Sequence, residues 1–222
     1  MEKSNYPEPV PPASQLAVLP FLAAMQGFLA ASAVADLRLT IHRVMHREGQ
    51  EFLQQVCSYL PLTEKSKGTG GRIFSVDTGI MGASYEHKKL FRTRRFETDQ
   101  ALQKALLKDA ILKDATKAKS WIAFPFLGPD DQVVLILFAD CNTLNFFADD
   151  ERVRQMVAMS NGFCRLHDYL QDSPFTNLRN FPLQKGEPNR EGGKAYSVQE
   201  SVDLELPRFR NLTSFNYEAA AA

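Results

Sequence analysis

His42 and His46 stand four residues apart, a spacing that places two imidazoles on one face of a helix and suits a metal ion. Arg43, Val44 and Met45 lie between them and Arg47 follows, so no carboxylate is at hand to act as a base. The pair reads as a solvated basic face, and no metal site is expected. Cys141 closes an apolar run, but no His or Asp is placed to draw off its proton. Cys57 and Cys164 complete a set of three scattered cysteines with no C-x-x-C pair, which suits reduced thiols in a core. His167 falls on the apolar stripe of a late helical run and reads as a hydrogen-bonded core or interface residue. No catalytic residue is expected, and the chain is expected not to be an enzyme.

The basic segment carries more. Between Glu86 and Lys119 there are ten Lys or Arg and five Asp or Glu. Lys88, Lys89, Arg92, Arg94 and Arg95 crowd its start, where they would neutralise an anionic ligand or form a solvated surface. Over the whole chain 26 basic residues balance 26 acidic ones, so formal net charge is zero and no polyanion partner such as nucleic acid is indicated. Sixteen Phe residues supply ample core.

Several elements have to position these groups. Residues 1–14 hold four prolines and read as a disordered tail. Leu16 to Ala35 carries no charge and has the length of a bilayer span, with Arg38, Arg43 and Arg47 following it. It is also Ala-rich and interrupted by Pro20, Gln26, Gly27 and Ser32, which suits a buried helix in a soluble dimer. Both readings stay open, so residues 15–36 are expected as an apolar helix that anchors in a membrane or dimerises. Leu37, Ile41, Val44 and Met45 recur at three and four residues, and Phe52 to Leu60 continues the pattern. This predicts one long helix bent at Gly49, or two helices.

Arg72 to Val76 predicts a short strand, and Asp77-Thr78-Gly79 a turn into a helix. Asp99 to Ala115 is rich in helix formers. Ser120–Phe126 and Gln132–Asp140 predict a hairpin around Gly128-Pro129-Asp130-Asp131, with the second strand central because Val133 to Phe138 is apolar on both faces. Asp149 or its neighbour is placed to cap a final helix with a buried stripe of Val153, Met156, Val157, Ser160 and Cys164. Residues 172–222 read as an extended tail, in which Tyr196 to Leu206 alternates weakly enough to be either a strand or more tail.

In this order the segments Asp77-Thr-Gly-Ile-Met-Gly82, Ile122-Ala-Phe-Pro-Phe126, Val133 to Asp140, and Phe146 with Asp150-Glu151 resemble the motifs of the GAF domain family. The resemblance covers about Leu37 to Leu170. It implies an α+β fold with a central antiparallel sheet, helices on its faces, and N- and C-terminal helices forming a dimer bundle. Residues 37–171 would be the GAF-like domain. Two departures stand out: Pro61 to Val76 has little room for the family's early hairpin, and Asn142 is followed by Thr143 where cyclic-nucleotide-binding members carry lysine.

The resemblance further implies a non-enzymatic sensory or regulatory domain that binds a small, anionic molecule between sheet and lid. Phe74, Tyr85, Arg92, Arg94, Phe124 and Phe138 are the expected ligand-binding residues, with Phe91 a further aromatic nearby. No cofactor is specified. The expected partners are a second copy of the chain and an output protein in trans. The expected location is cytoplasmic, with a membrane anchor through residues 16–35 as the alternative. A pure interaction scaffold with a self-filled pocket is the competing reading.

Overall fold

A computed structural model of the chain describes residues 12–47, 49–64, 67–77, 79–108, 118–169 and 197–208. The first helix, α1, runs Pro12–Ala30. Strands β1 (Arg38–Arg47) and β2 (Gln50–Gln55) follow, then the short β3 (Ile73–Ser75). Helix α2 (Gly79–His87), strand β4 (Leu90–Thr93) and helix α3 (Asp99–Lys108) come next. Strands β5 (Ser120–Leu127) and β6 (Val133–Cys141) form the central hairpin. One 3-10 turn, Phe146–Ala148, leads into α4 (Asp150–Tyr169), and β7 (Gln199–Val202) ends the order.

The seven strands make one sheet in the order β3-β2-β1-β6-β5-β4-β7, with every pair of neighbours antiparallel. The expected α+β architecture, an antiparallel sheet with helices on its faces, is what the chain forms. Strand β6 lies inside the sheet, as its doubly apolar pattern requires.

The long helix expected from Leu37 to Leu60 is instead the β1–β2 hairpin. Strand β1 is buried on both faces from Leu39 to Met45, with even Thr40, His42 and Arg43 fully covered. A strand covered on both sides loses its period-two signal, and its apolar residues then fell by chance at helical spacing. Gly49 is the turn rather than a bend, with a φ of 75° that L-residues avoid. The early hairpin whose absence looked like a departure is therefore present, upstream of where it was sought.

One face of the sheet is covered by α1 and α4. Val18, Leu22, Met25 and Leu29 of α1 join Val153, Met156 and Cys164 of α4 over Leu39, Ile41, Phe124, Phe126 and Leu137. Phe21 stacks on Phe163 at 4.5 Å and meets Phe126 edge-on at 6.2 Å, tying the two helices to each other and to the sheet. These apolar stripes face the chain's own sheet. Helix α1 stops at Ala30, and the backbone turns through left-handed residues at Ala33 and Asp36. The uncharged run from Leu16 to Ala35 is thus not one helix, and among the described residues no helix is long and apolar enough to cross a membrane.

Asp149 caps α4 as expected, its Oδ1 accepting from the backbone N–H groups of Glu151 and Arg152 at 3.0 and 3.2 Å. Asp149→Ala is expected to cost about 1 kcal/mol, or roughly 2–4 °C in Tm for a chain of this size, while Asp149→Asn keeps most of it. A thermal melt of the two variants checks this.

Residues 197–208 form an ordered strap. Strand β7 pairs with β4, Leu127 N–H donates to Pro207 O at 2.9 Å, and Arg208 meets Asp131 at 2.6 Å beside the β5–β6 turn. Val198 completes a small cluster with Phe96, Leu102 and Leu106 under α3. Within the stretch Tyr196 to Leu206, left open as strand or tail, Gln199–Val202 is a strand, and Tyr196 lies outside the described residues.

Candidate functional site

The opposite face of the sheet lies under α2 and has a different character. Val44, Leu53, Ala123, Ile136 and Phe138 from four strands meet Met81 of α2, with Tyr59, Phe74 and Tyr85 packed against them. The turn into α2 can fold tightly against the helix because Gly82 lacks a side chain: a Cβ there would stand 2.4 Å from the carbonyl carbon of Asp77, in the loop just before α2. This explains physically why the Gly-Ile-Met-Gly turn carries a glycine at its end.

Towards β2 and β3 the layer turns polar. The His42 ring is fully buried, with its centroid 5.4 Å from Phe74 and 6.5 Å from Phe138, both edge-on. Neither ring nitrogen makes a hydrogen bond of regular geometry; the backbone of Ile136, its cross-strand neighbour, is the polar group beside it. Burial, and then the charge of Arg72, push its pKa down to about 3, so the imidazole is neutral at pH 7. The Arg72 guanidinium lies 5.6 Å over Tyr59 and 5.4 Å over Phe74. It donates to Gln55 Oε1 at 3.0 and 2.7 Å and to Thr69 O at 3.2 Å, all neutral acceptors.

Arg38 lies over the Tyr59 ring at 4.9 Å and grips Asp140 with two bonds of 2.8 and 2.5 Å. Asp140 is so deeply buried that its pKa is still raised: burial outweighs the arginine. Burial also raises the Tyr59 phenol, keeping it a neutral donor.

At the hairpin end of the same face lies a surface pocket of about 370 Å³, bordered by His46, Glu51, Tyr85, Glu86, Lys88 and Gln132. Tyr85 Oη donates to Glu51, whose other oxygen is 3.4 Å from His46 Nδ1. His42 and His46 thus lie on a strand rather than a helix, one buried and one exposed, and the solvated basic face expected of them is not formed. Among the described residues no group of three or more His, Cys, Asp or Glu is placed to hold a metal ion.

The six expected ligand residues divide. Phe74, Tyr85 and Phe138 share the α2 face. Phe124 does not. It pairs across the hairpin with Leu137 while Phe138 pairs with Ala123, so the two phenylalanines point to opposite sides, and Phe124 belongs to the α1/α4 core. Arg92 is part of an inner strand rather than a lid. It is consumed by Asp150 at 2.7 Å, Glu200 at 3.0 Å and Phe147 O at 3.2 Å, which ties the start of α4 to β7. Its hydrogen bond, and then its charge, hold the Asp150 carboxyl below the usual range. Arg94 is exposed and covers Phe96 at 4.9 Å. His42, Tyr59 and Arg72 are the residues sequence reasoning missed. Arg72 and Phe74 alternate on the predicted strand, which was a usable signal; His42 required recognising β1.

The cysteines stay as small core residues. Burial drives the Cys141 thiol up to about 11 and also raises Cys57, the opposite of an activated nucleophile. The His167 side chain lies outside the described residues.

No family model matches the chain, and no curated protein matches it. Its fold, however, has counterparts among solved structures. The chain is similar to GAF domains. The GAF domain of an Acinetobacter phosphoenolpyruvate-protein phosphotransferase is 13% identical, covering 71% of this chain and 94% of that one at a TM-score of 0.42. The phycocyanobilin-bound GAF domain of a cyanobacterial phytochrome is 10% identical, with coverages of 64% and 90% and a TM-score of 0.33. A type II free methionine-R-sulfoxide reductase from Thermoplasma acidophilum is 11% identical, covering 66% and 89% at 0.45. Both GAF domains and an enzyme stand among these neighbours, and at such scores the likeness assigns neither ligand nor activity. For this GAF-like chain those have to be argued from the residues under α2.

Proposed function

We propose that this chain is a GAF-like regulatory module that binds a small molecule on the α2 face of its sheet. One observation carries the reading: an aromatic enclosure of His42, Tyr59, Phe74 and Phe138 with a guanidinium at its rim. One wall, Phe74, is half-buried on the three-residue edge strand β3. An edge wall can yield without breaking the central sheet. Ligand occupancy would shift β3 and α2 together, and α2 would pass that shift to β4 and β5, which it touches. The output is a separate protein, and a second copy of the chain is the proposed partner through the outer faces of α1 and α4, where Leu166 is exposed.

The competing reading is an interaction scaffold. It is favoured by Leu53, Met81 and Phe138, which already fill much of the face. Native mass spectrometry of the purified chain and a thermal-shift panel of nucleotides, amino acids and tetrapyrroles separate the two. A ligand at a hundred times its Kd stabilises by about 2.7 kcal/mol, roughly 5–10 °C for a chain of this size. A flat panel with no retained mass supports the scaffold.

A further inference from the structure

The enclosure under α2 contains two polar groups that are incomplete as they stand. His42 is fully buried, yet neither imidazole nitrogen has a hydrogen bond of regular geometry. A buried polar atom without a partner costs about 1–3 kcal/mol, and such atoms in folded proteins commonly mark a water, an ion or a ligand group. Arg72 is the second. Its hydrogen bonds go to Gln55 Oε1 and Thr69 O, with the Tyr59 hydroxyl also beside it, and among the described residues no carboxylate pairs with it. Arg38, which covers the same Tyr59 ring, is by contrast paired with Asp140. Arg72 thus faces the enclosure as an uncompensated cation, and both it and His42 border the same ring, Phe74.

Size limits the answer. The centre of the layer is filled by the chain's own side chains, so a ligand must fit where the edge ring Phe74 gives way, which favours a molecule of one ring. Its walls are aromatic edges and faces, which favour a flat partner.

We propose that His42 and Arg72 form the polar anchors of a site for a small aromatic acid. Its ring lies among Tyr59, Phe74 and Phe138, its anionic group accepts from Arg72, and a ring or carboxylate atom bonds His42. This rests on the small-molecule reading of the same face and names the ligand class for it. Neutral imidazole offers one donor and one acceptor, so it can meet either kind of ring atom. A guanidinium matches a carboxylate with two parallel bonds and is already desolvated on its aromatic side.

The test uses the full chain and four probes in two matched pairs: nicotinate against nicotinamide, and benzoate against benzamide. Thermal shift and calorimetry should register the acids and not the amides. Arg72→Gln should weaken acid binding by at least tenfold and abolish the preference, while Arg72→Lys, keeping the charge, should retain part of it. Because Arg72→Gln also removes the donor to Gln55 Oε1, a second measurement uses the unmodified chain. The ¹⁵N signals of the His42 ring should move on adding nicotinate. Equal binding of acids and amides overturns the proposal, as does unchanged acid binding in a folded Arg72→Gln variant or a silent His42 ring. If all four probes fail but another molecule binds this face, the aromatic-acid class falls and the regulatory-module reading stands. If nothing binds in any assay, both fall.

Discussion

Replacing Gly82 by alanine is expected to destabilise the chain by about 3 kcal/mol or more. A Cβ at this position would sit 2.4 Å from the Asp77 carbonyl carbon and 2.9 Å from both Asp77 Cα and O. All three are backbone atoms, so no side chain can swing away to make room. The first turn of α2 would have to lift off the loop that precedes it, taking Met81 out of the layer it closes. The chain holds its own controls. Gly27 in α1 and Gly162 in α4 are also helical, but a Cβ at either meets nothing within 4 Å. Alanine there is expected to stabilise by about 0.5–1 kcal/mol through helix propensity alone. Chemical denaturation of the three variants gives the comparison. Equal effects at all three positions would show that the close approach at Asp77 is not what requires Gly82.

The second large effect is one of pH. In the folded chain His42 stays neutral down to about pH 3, whereas an unfolded histidine protonates near 6.5. Below pH 6.5 protons therefore bind the unfolded state preferentially, and this group's share of stability falls progressively until pH reaches about 3. Two units below 6.5, at pH 4.5, the loss is about 2.7 kcal/mol. At the limit it approaches roughly 5 kcal/mol. The titratable and charged groups at the His42 end of this layer are Arg72, Tyr59, Arg38 and Asp140, with Tyr85, Glu51 and His46 at its hairpin end. Arg72 adds to the effect. Asp140, whose folded pKa is raised, works against it by taking up a proton more readily when folded. The difference between the unmodified chain and His42→Leu isolates the imidazole. The variant should gain on the parent by about 2–3 kcal/mol between pH 7 and pH 4.5. Parallel stability profiles would remove His42 as the source of acid sensitivity.

How much of this was legible in the sequence depends on how each element is covered. The β5–β6 hairpin and α4 were readable because each carries a local signal: a turn between two apolar runs, and Asp149 ahead of an amphipathic stripe. Strand β1 was not, because burial on both faces erases alternation. Its Arg43 and His42 also read as surface residues when they are among the most deeply buried side chains of the chain. That one error kept apart residues that the fold brings together. With β1 taken as a helix, His42 had no reason to meet Phe74, 32 positions later, and the search for a cation moved to the dense basic segment. Charge density proved a poor guide there: Arg92 is neutralised by Asp150 and Glu200, which lie 58 and 108 positions further on. The isolated Arg72, with no basic neighbour in sequence, is the cation left facing the aromatic layer. Phe124 lies on the other face from Phe138 for a simpler reason. Neighbouring strand positions alternate sides, and only the register Phe124 to Leu137 tells which side is which.

The strap of residues 197–208 has a consequence in time as well as in space. A chain made from its N-terminus presents β4 long before β7, and Arg92 waits through more than a hundred residues for Glu200. Until then one margin of the sheet offers open backbone groups, and Phe96, Leu102 and Leu106 lack Val198. A ribosome-bound chain halted before the strap would carry that unfinished edge, ready to pair with any extended segment, and synthesis of β7 is the event that ends the exposure.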